Sequence, residues 1–100
     1  MSPIDVSEYM TRIQNGEKLK LLDVRSELEY STFNIGGQNM PLSKLTAGLD
    51  DLDYNKTDEI IVVCKVGLRS KTATDILIAN GYQNARNLQG GLVALKKIEY

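Results

Sequence analysis

Ile60-Ile61-Val62-Val63-Cys64-Lys65-Val66-Gly67-Leu68-Arg69-Ser70 is the stretch from which the rest of the chain can be read. Its first half is apolar without alternation, the pattern of a strand buried on both faces, as parallel strands are. The run has a strand's length and falls far short of a membrane span. A loop, Lys65 to Leu68, follows, and then a helix over about 69–80. Ala73, Ile76 and Leu77 share one face of that helix, and Gly81 lies past its end. Cys64 therefore sits at the carboxyl end of a buried strand, the edge at which open parallel sheets bind ligands.

Upstream, Asp5 can cap a first helix over 5–15, with Glu8 three residues on as in a capping box. Val6, Tyr9, Met10 and Ile13 keep helical spacing, and Gly16 suits the helix end. Leu19, Leu21, Leu22 and Val24 make a second apolar strand, and Ser26 can cap a short helix over 27–32. Asn39-Met40-Pro41-Leu42 reads as a short extended piece at an edge or strand end, because of its proline. Leu45 to Leu52 reads as a helix weakened at Gly48. Downstream, Asn84 to Leu88 suits a strand, Gly90-Gly91 a turn, and 92–98 a helix. Strands alternating with helices imply an α/β fold with a central parallel sheet flanked by helices on both faces. The length allows one domain and is too short for two, so 1–100 is expected to be a single domain.

Composition removes many functions. No histidine occurs, which excludes Ser-His and Cys-His catalysis and most zinc sites. Cys64 is the only cysteine, so there is no internal disulfide, no redox pair and no cysteine metal cluster. Neither a metal nor a cofactor is expected. A formal net charge of −1 gives no general attraction to nucleic acid or to an anionic membrane. The N-terminus has neither a basic nor a long apolar region, which points to a cytoplasmic protein.

The loop after Cys64 can curl so that successive backbone N–H groups face the sulfur, a nest reinforced by the positive end of the next helix. Gly67 supplies a backbone conformation that other residues resist. Lys65, Arg69 and Lys71 add three cations, and no acid occurs between Cys64 and Thr74. Each feature favours thiolate over thiol. A cysteine ending a buried strand is otherwise a small core residue, but a core cysteine needs neither the glycine loop nor the cations. Lys65 and Lys71 taken singly read as solvated charges, whereas Arg69 can turn its guanidinium across the loop mouth. A stabilised thiolate can take the outer sulfur of a sulfane donor such as thiosulfate and pass it on without a general base. Such a shallow cradle would leave that outer sulfur near the surface. Asp23 and Arg25 end another strand on the same sheet edge. They would either stand at the site mouth or be structural, with Arg25 paired to Glu29 and Asp23 capping backbone groups. The second reading is favoured.

Cys64-Lys65-Val66-Gly67-Leu68-Arg69-Ser70 resembles the active-site pattern Cys-x-x-Gly-x-Arg-Ser of the rhodanese family. Leu22-Asp23-Val24-Arg25 with Glu29-Tyr30, Ile35-Gly36-Gly37 with Asn39-Met40-Pro41-Leu42, Gly81-Tyr82, and Asn87-Leu88-Gln89-Gly90-Gly91 are similar to further family segments in the same order. Departures are Phe33-Asn34-Ile35 where relatives often have Gly-His-Ile, Leu95 where they often have Trp, and one residue fewer before Pro41. The resemblance implies the rhodanese α/β fold and a sulfurtransferase carrying a persulfide on Cys64, with Lys65, Val66, Gly67, Leu68, Arg69 and Ser70 forming the anion-binding loop. Its partners would be a sulfane sulfur donor and a thiol, cyanide or ubiquitin-like sulfur-carrier acceptor. The segment 35–42 and the ending Lys96-Lys97-Ile98-Glu99-Tyr100 look most like rhodanese domains fused to adenylyltransferases of molybdopterin and thiamine biosynthesis. A free-standing rhodanese is the other reading. Two rivals use the same kind of fold: a Cdc25-type phosphatase or arsenate reductase, and a non-enzymatic regulatory module. The phosphatase loops place five residues between cysteine and arginine, whereas four stand here.

Overall fold

Asp5 begins the first helix as its sequence promises: its carboxylate accepts the Glu8 N–H at 2.7 Å. A computed structural model describes residues 2–99; Met1 and Tyr100, the last residue of the ending that resembles fused domains, lie outside the described residues. The elements run α1 Val6–Gln14, β1 Lys20–Asp23, α2 Glu27–Thr32, β2 Gln38–Asn39, α3 Leu42–Leu45, a single 3-10 turn Leu49–Asp51, β3 Ile60–Val63, α4 Leu68–Ala79, β4 Ala85–Asn87 and α5 Gly91–Glu99. The strands form one parallel sheet in the order β2-β1-β3-β4.

β3 is fully buried, as its unbroken apolar run demands. Side chains alternate across a strand, so Ile60, Val62 and Cys64 face one core with Leu22, Val24, Leu45, Ala73 and Leu77. Ile61 and Val63 face the other, with Ile4, Leu21, Leu92 and Leu95. That alternation puts the Cys64 side chain on the α4 side of the sheet. Leu95, where relatives often carry Trp, fills the opposite core. The edge at β4 is covered by the N-terminal segment: Ile4 N–H donates to the Asn87 carbonyl and Gln89 N–H to the Ile4 carbonyl, so this edge is not open to another strand.

One expected element is redrawn. The helix anticipated over Leu45 to Leu52 is α3, starting at Leu42, and a separate 3-10 turn, with Gly48 between them. Leu42 N–H donates to the Val24 carbonyl, a tertiary contact that starts the helix directly after Pro41. Gly48 is also closely packed, since a Cβ there would come within 2.8 Å of the Met40 sulfur.

Candidate active site

The geometry around Cys64 follows from where β3 stops. The chain leaves the sheet at Cys64, turns through Lys65 and Val66, and enters α4 through Gly67, whose φ is 95°. That left-handed backbone is cheap only for glycine, and a Cβ would also press on the Gly90 nitrogen at 3.2 Å. Gly91 forms the floor: a Cβ there would lie 2.5 Å from both the Cys64 and Lys65 carbonyl oxygens. Its neighbours Leu92 and Val93 donate N–H bonds to those carbonyls, at 3.0 Å each. The Gly90-Gly91 turn thus clamps the loop from below while α4 closes it from the side.

The Sγ of Cys64 accepts the Gly67 N–H at 3.1 Å and the Ser70 N–H at 3.3 Å, and lies 3.2 Å from the Ser70 hydroxyl. Burial pushes the thiol up, but the Ser70 hydroxyl and the N–H groups of Ser70, Gly67 and Val66 together hold it below its ordinary value. Cys64 is only 1% exposed, so Sγ itself is not at the surface. The Ser70 hydroxyl donates its one proton to Asn87 Oδ1, and Asn87 Nδ2 donates to the Gly67 carbonyl at 3.2 Å. Asn87, at the end of β4, is thus linked to two of the groups that hold the sulfur. Asn87 belongs to a segment of the family pattern, but nothing in its local sequence assigns it to the site. The available signal was its place at the carboxyl end of the strand beside β3.

Because thiolate reacts and thiol does not, alkylation of Cys64 by iodoacetamide should rise with pH through the Cys64 pKa and level off above it. Its midpoint is expected below that of a free thiol. Ser70→Ala removes a hydroxyl that can turn its single proton from Asn87 Oδ1 to the thiolate, and should move the midpoint upward, toward the free-thiol range. An unchanged midpoint in that variant would mean that the hydroxyl serves Asn87 alone.

The cations are less free than their sequence clustering suggests. Arg69, the second residue of α4, forms a two-pronged pair with Glu29 of α2, Nη1–Oε1 at 2.7 Å and Nη2–Oε2 at 3.0 Å. The Arg69 guanidinium and the Ser26 N–H hold the Glu29 carboxyl down to about 2. Lys71 points away and pairs with Asp75 at 3.4 Å. Lys65 is exposed and has no ion-pair partner among the described residues.

The expected pairing of Arg25 with Glu29 is corrected. Arg25 folds back on Asp23, with Nε to Oδ1 at 3.0 Å and Nη2 to Oδ2 at 2.7 Å, and also donates to the Phe33 carbonyl. Glu29 is already held by the N-cap of α2 and by Arg69, whereas Asp23 lies two residues away and equally buried. Asp23 Oδ1 also accepts the Arg25 N–H, so Asp23 satisfies backbone as expected. Arg25 also lines an open groove of about 390 Å³, together with Leu28, Glu29, Phe33, Lys65 and Lys96 among others. Phe33, the departure from Gly-His-Ile, lines this groove with Lys96 4.0 Å over its ring. No group of metal-ligating side chains is found among the described residues, and no helix among them is long and apolar enough to cross a membrane.

The sequence pattern of the rhodanese-like domain matches residues 5–98, and the chain belongs to that family. It is 35% identical over 99 residues to a probable adenylyltransferase/sulfurtransferase, MoeZ, of Mycobacterium tuberculosis, covering 96% of this chain and 25% of that protein. The chain therefore spans about a quarter of that relative's length. It is 32% identical over 104 residues to thiosulfate sulfurtransferase 18 of Arabidopsis thaliana, covering 91% of this chain and 75% of that one. Among solved structures, the human single-domain sulfurtransferase TSTD1 superposes with a TM-score of 0.85 at 26% identity, covering 98% of this chain and 97% of that one. Family and relatives together support sulfur transfer as the general activity.

Proposed function

We propose that this rhodanese-like domain is a sulfurtransferase that carries sulfane sulfur as a persulfide on Cys64. The observation that carries the reading is the pair of backbone donors on Sγ, from Gly67 N–H and Ser70 N–H, with the Ser70 hydroxyl 3.2 Å away. A set of fixed donors around a sulfur at a helix start stabilises a thiolate, and would stabilise the terminal anion of a persulfide in the same way. In the first half-reaction the Cys64 thiolate attacks the outer sulfur of thiosulfate or another sulfane donor. The Sγ–S bond forms, the donor's S–S bond breaks, and sulfite or a thiolate leaves with the electron pair. In the second, an acceptor nucleophile attacks the outer sulfur and the Cys64 thiolate leaves. Neither step needs a base, which suits a chain without histidine.

In this reading Lys65, Val66, Gly67, Leu68, Arg69 and Ser70 form the anion-binding loop, and Asp23 with Arg25 shapes its rim. With no second cysteine in these 100 residues, the persulfide is resolved in this reading by an acceptor outside this domain. Relatives named adenylyltransferase and sulfurtransferase, from Mycobacterium tuberculosis and Candida albicans, and a putative sulfur carrier protein from Bacillus subtilis favour a sulfur-carrier protein as that acceptor. The test is intact-mass measurement after incubation with thiosulfate. One added sulfur atom, removed by cyanide or a reductant, is the expected result. No added sulfur from thiosulfate or from a persulfide would refute the reading. Transfer to a carrier is checked by mixing persulfidated protein with an adenylylated carrier and looking for a thiocarboxylate.

A further inference from the structure

We propose that the open groove beside the cysteine loop is where the sulfur acceptor docks, and that its occupant is an acidic, apolar segment of a protein. The proposal rests on the persulfide reading of Cys64 and concerns which acceptors unload it.

The groove, about 390 Å³, runs between α2, the start of the cysteine loop and α5. Lys65, one of its lining residues, follows Cys64 directly. The Lys65 carbonyl accepts the N–H of Val93, another lining residue, at 3.0 Å. The groove is thus built on the same clamp that fixes the loop. Its apolar part is open to solvent: Leu28 is 76% exposed, and Phe33 and Val93 are 37% exposed each. Val66 and Leu68 of the adjoining loop are exposed as well. Single exposed apolar side chains are ordinary, whereas a cluster of them marks a contact surface. A small oxyanion such as thiosulfate has no use for apolar walls, and a polypeptide segment has. Phe33 departs from the family pattern, so this wall belongs to this chain rather than to the shared motif.

Charge decides which segment fits. Lys65 and Lys96 line the groove, and neither has an ion-pair partner among the described residues. The other charged lining residues are committed, Arg25 to Asp23 and Glu29 to Arg69. The lining therefore carries two positive charges that nothing in it neutralises. Lys96 Nζ stands 4.0 Å from the centre of the Phe33 ring, an attraction that holds the ammonium beside the aromatic wall. An ammonium is a point charge that demands no fixed partner geometry, which suits carboxylates carried on a flexible chain. Once docked, the acceptor thiolate attacks the outer sulfur, the new S–S bond forms, the bond to Sγ breaks, and the Cys64 thiolate leaves.

The experiment starts from persulfidated protein and follows loss of the added sulfur by intact mass. The acceptors are two peptide thiols blocked at both ends, Glu-Leu-Glu-Leu-Gly-Cys and Lys-Leu-Lys-Leu-Gly-Cys, and glutathione, which has carboxylates but no apolar side chain. Comparing protein variants on one acceptor cancels that acceptor's own thiol reactivity. Lys96→Glu should lower kcat/KM for the acidic peptide about fivefold and raise it for the basic peptide by a similar factor, and both effects should shrink at high salt. Transfer to glutathione and loading by thiosulfate should change less than about twofold. Leu28→Ser should weaken both peptides alike, about fivefold, and leave glutathione unchanged. Both side chains are exposed, so melting temperatures near wild type are expected. Glutathione transfer falling as far as that of the acidic peptide in Lys96→Glu would make the groove a site for small anionic thiols and overturn the proposal. An equal response of the two peptides to Lys96→Glu, or no response to Leu28→Ser, would overturn it as well. Failure of wild-type protein to load from thiosulfate or glutathione persulfide would instead remove the reading on which it rests.

Discussion

Cys64→Ser is expected to abolish sulfur uptake from any donor while leaving the fold in place. Serine is close to isosteric, and its oxygen can accept the Gly67 and Ser70 N–H bonds that Sγ now takes. What it lacks is a populated anion: the fixed donors that hold the thiol below its ordinary value cannot ionise an alcohol at neutral pH without a base, and no histidine exists to supply one. The serine variant should therefore gain no mass with thiosulfate or glutathione persulfide, and show a near-native circular dichroism spectrum and melting curve. Uptake at wild-type rate in this variant would transfer the chemistry away from the strand-end cysteine altogether. A serine variant that fails to fold would be replaced in the assay by wild-type protein alkylated at Cys64, for which the same loss is expected.

How far the site could be read from the chain depends on distance along it. The cysteine loop is local. Strand end, Gly67 and helix start lie within seven residues, 64–70, and their geometry follows from backbone rules that act over a few positions. Asp5 and Ser26 were legible for the same reason, because a cap needs only itself and the residue three later. Two features were not legible. Glu29 reaches Arg69 across 40 residues, and its visible part in the α2 capping box concealed a second partner. Asn87 reaches Ser70 from the next strand, a pairing that depends on the sheet order β2-β1-β3-β4 rather than on any local pattern. The partners of the cations were not legible either. Lys65, Arg69 and Lys71 cluster in sequence, but helix geometry sends Lys71 to Asp75, one turn on, and tertiary packing gives Arg69 to Glu29.

Asp23→Ala is expected to be strongly destabilising, by roughly 3–5 kcal/mol, the cost of leaving one partner of a buried ion pair alone. Asp23 is 1% and Arg25 6% exposed. Arg25 donates its Nε and one Nη to the Asp23 carboxylate, and its own N–H to Oδ1. Removing the carboxylate strands a guanidinium that keeps only the Phe33 carbonyl. Such a loss is a large share of the roughly 5–15 kcal/mol that holds a domain of this kind together. The damage should reach the site, because this turn is also where the β1 end meets β2: Asn39 Nδ2 donates to the Asp23 and Arg25 carbonyls at 3.0 Å each. Urea unfolding should show the midpoint falling with little change in slope. Asp23→Asn keeps the shape and an acceptor oxygen and should lose less. The double variant Asp23→Leu/Arg25→Met removes both charges, so it should recover part of the loss of Asp23→Ala, since the isolated charge rather than the missing bond carries most of the cost. An Asp23→Ala midpoint equal to wild type would mean that Arg25 swings out to solvent through the neighbouring groove. In that case Asp23 would hold the Arg25 side chain in place without contributing to stability.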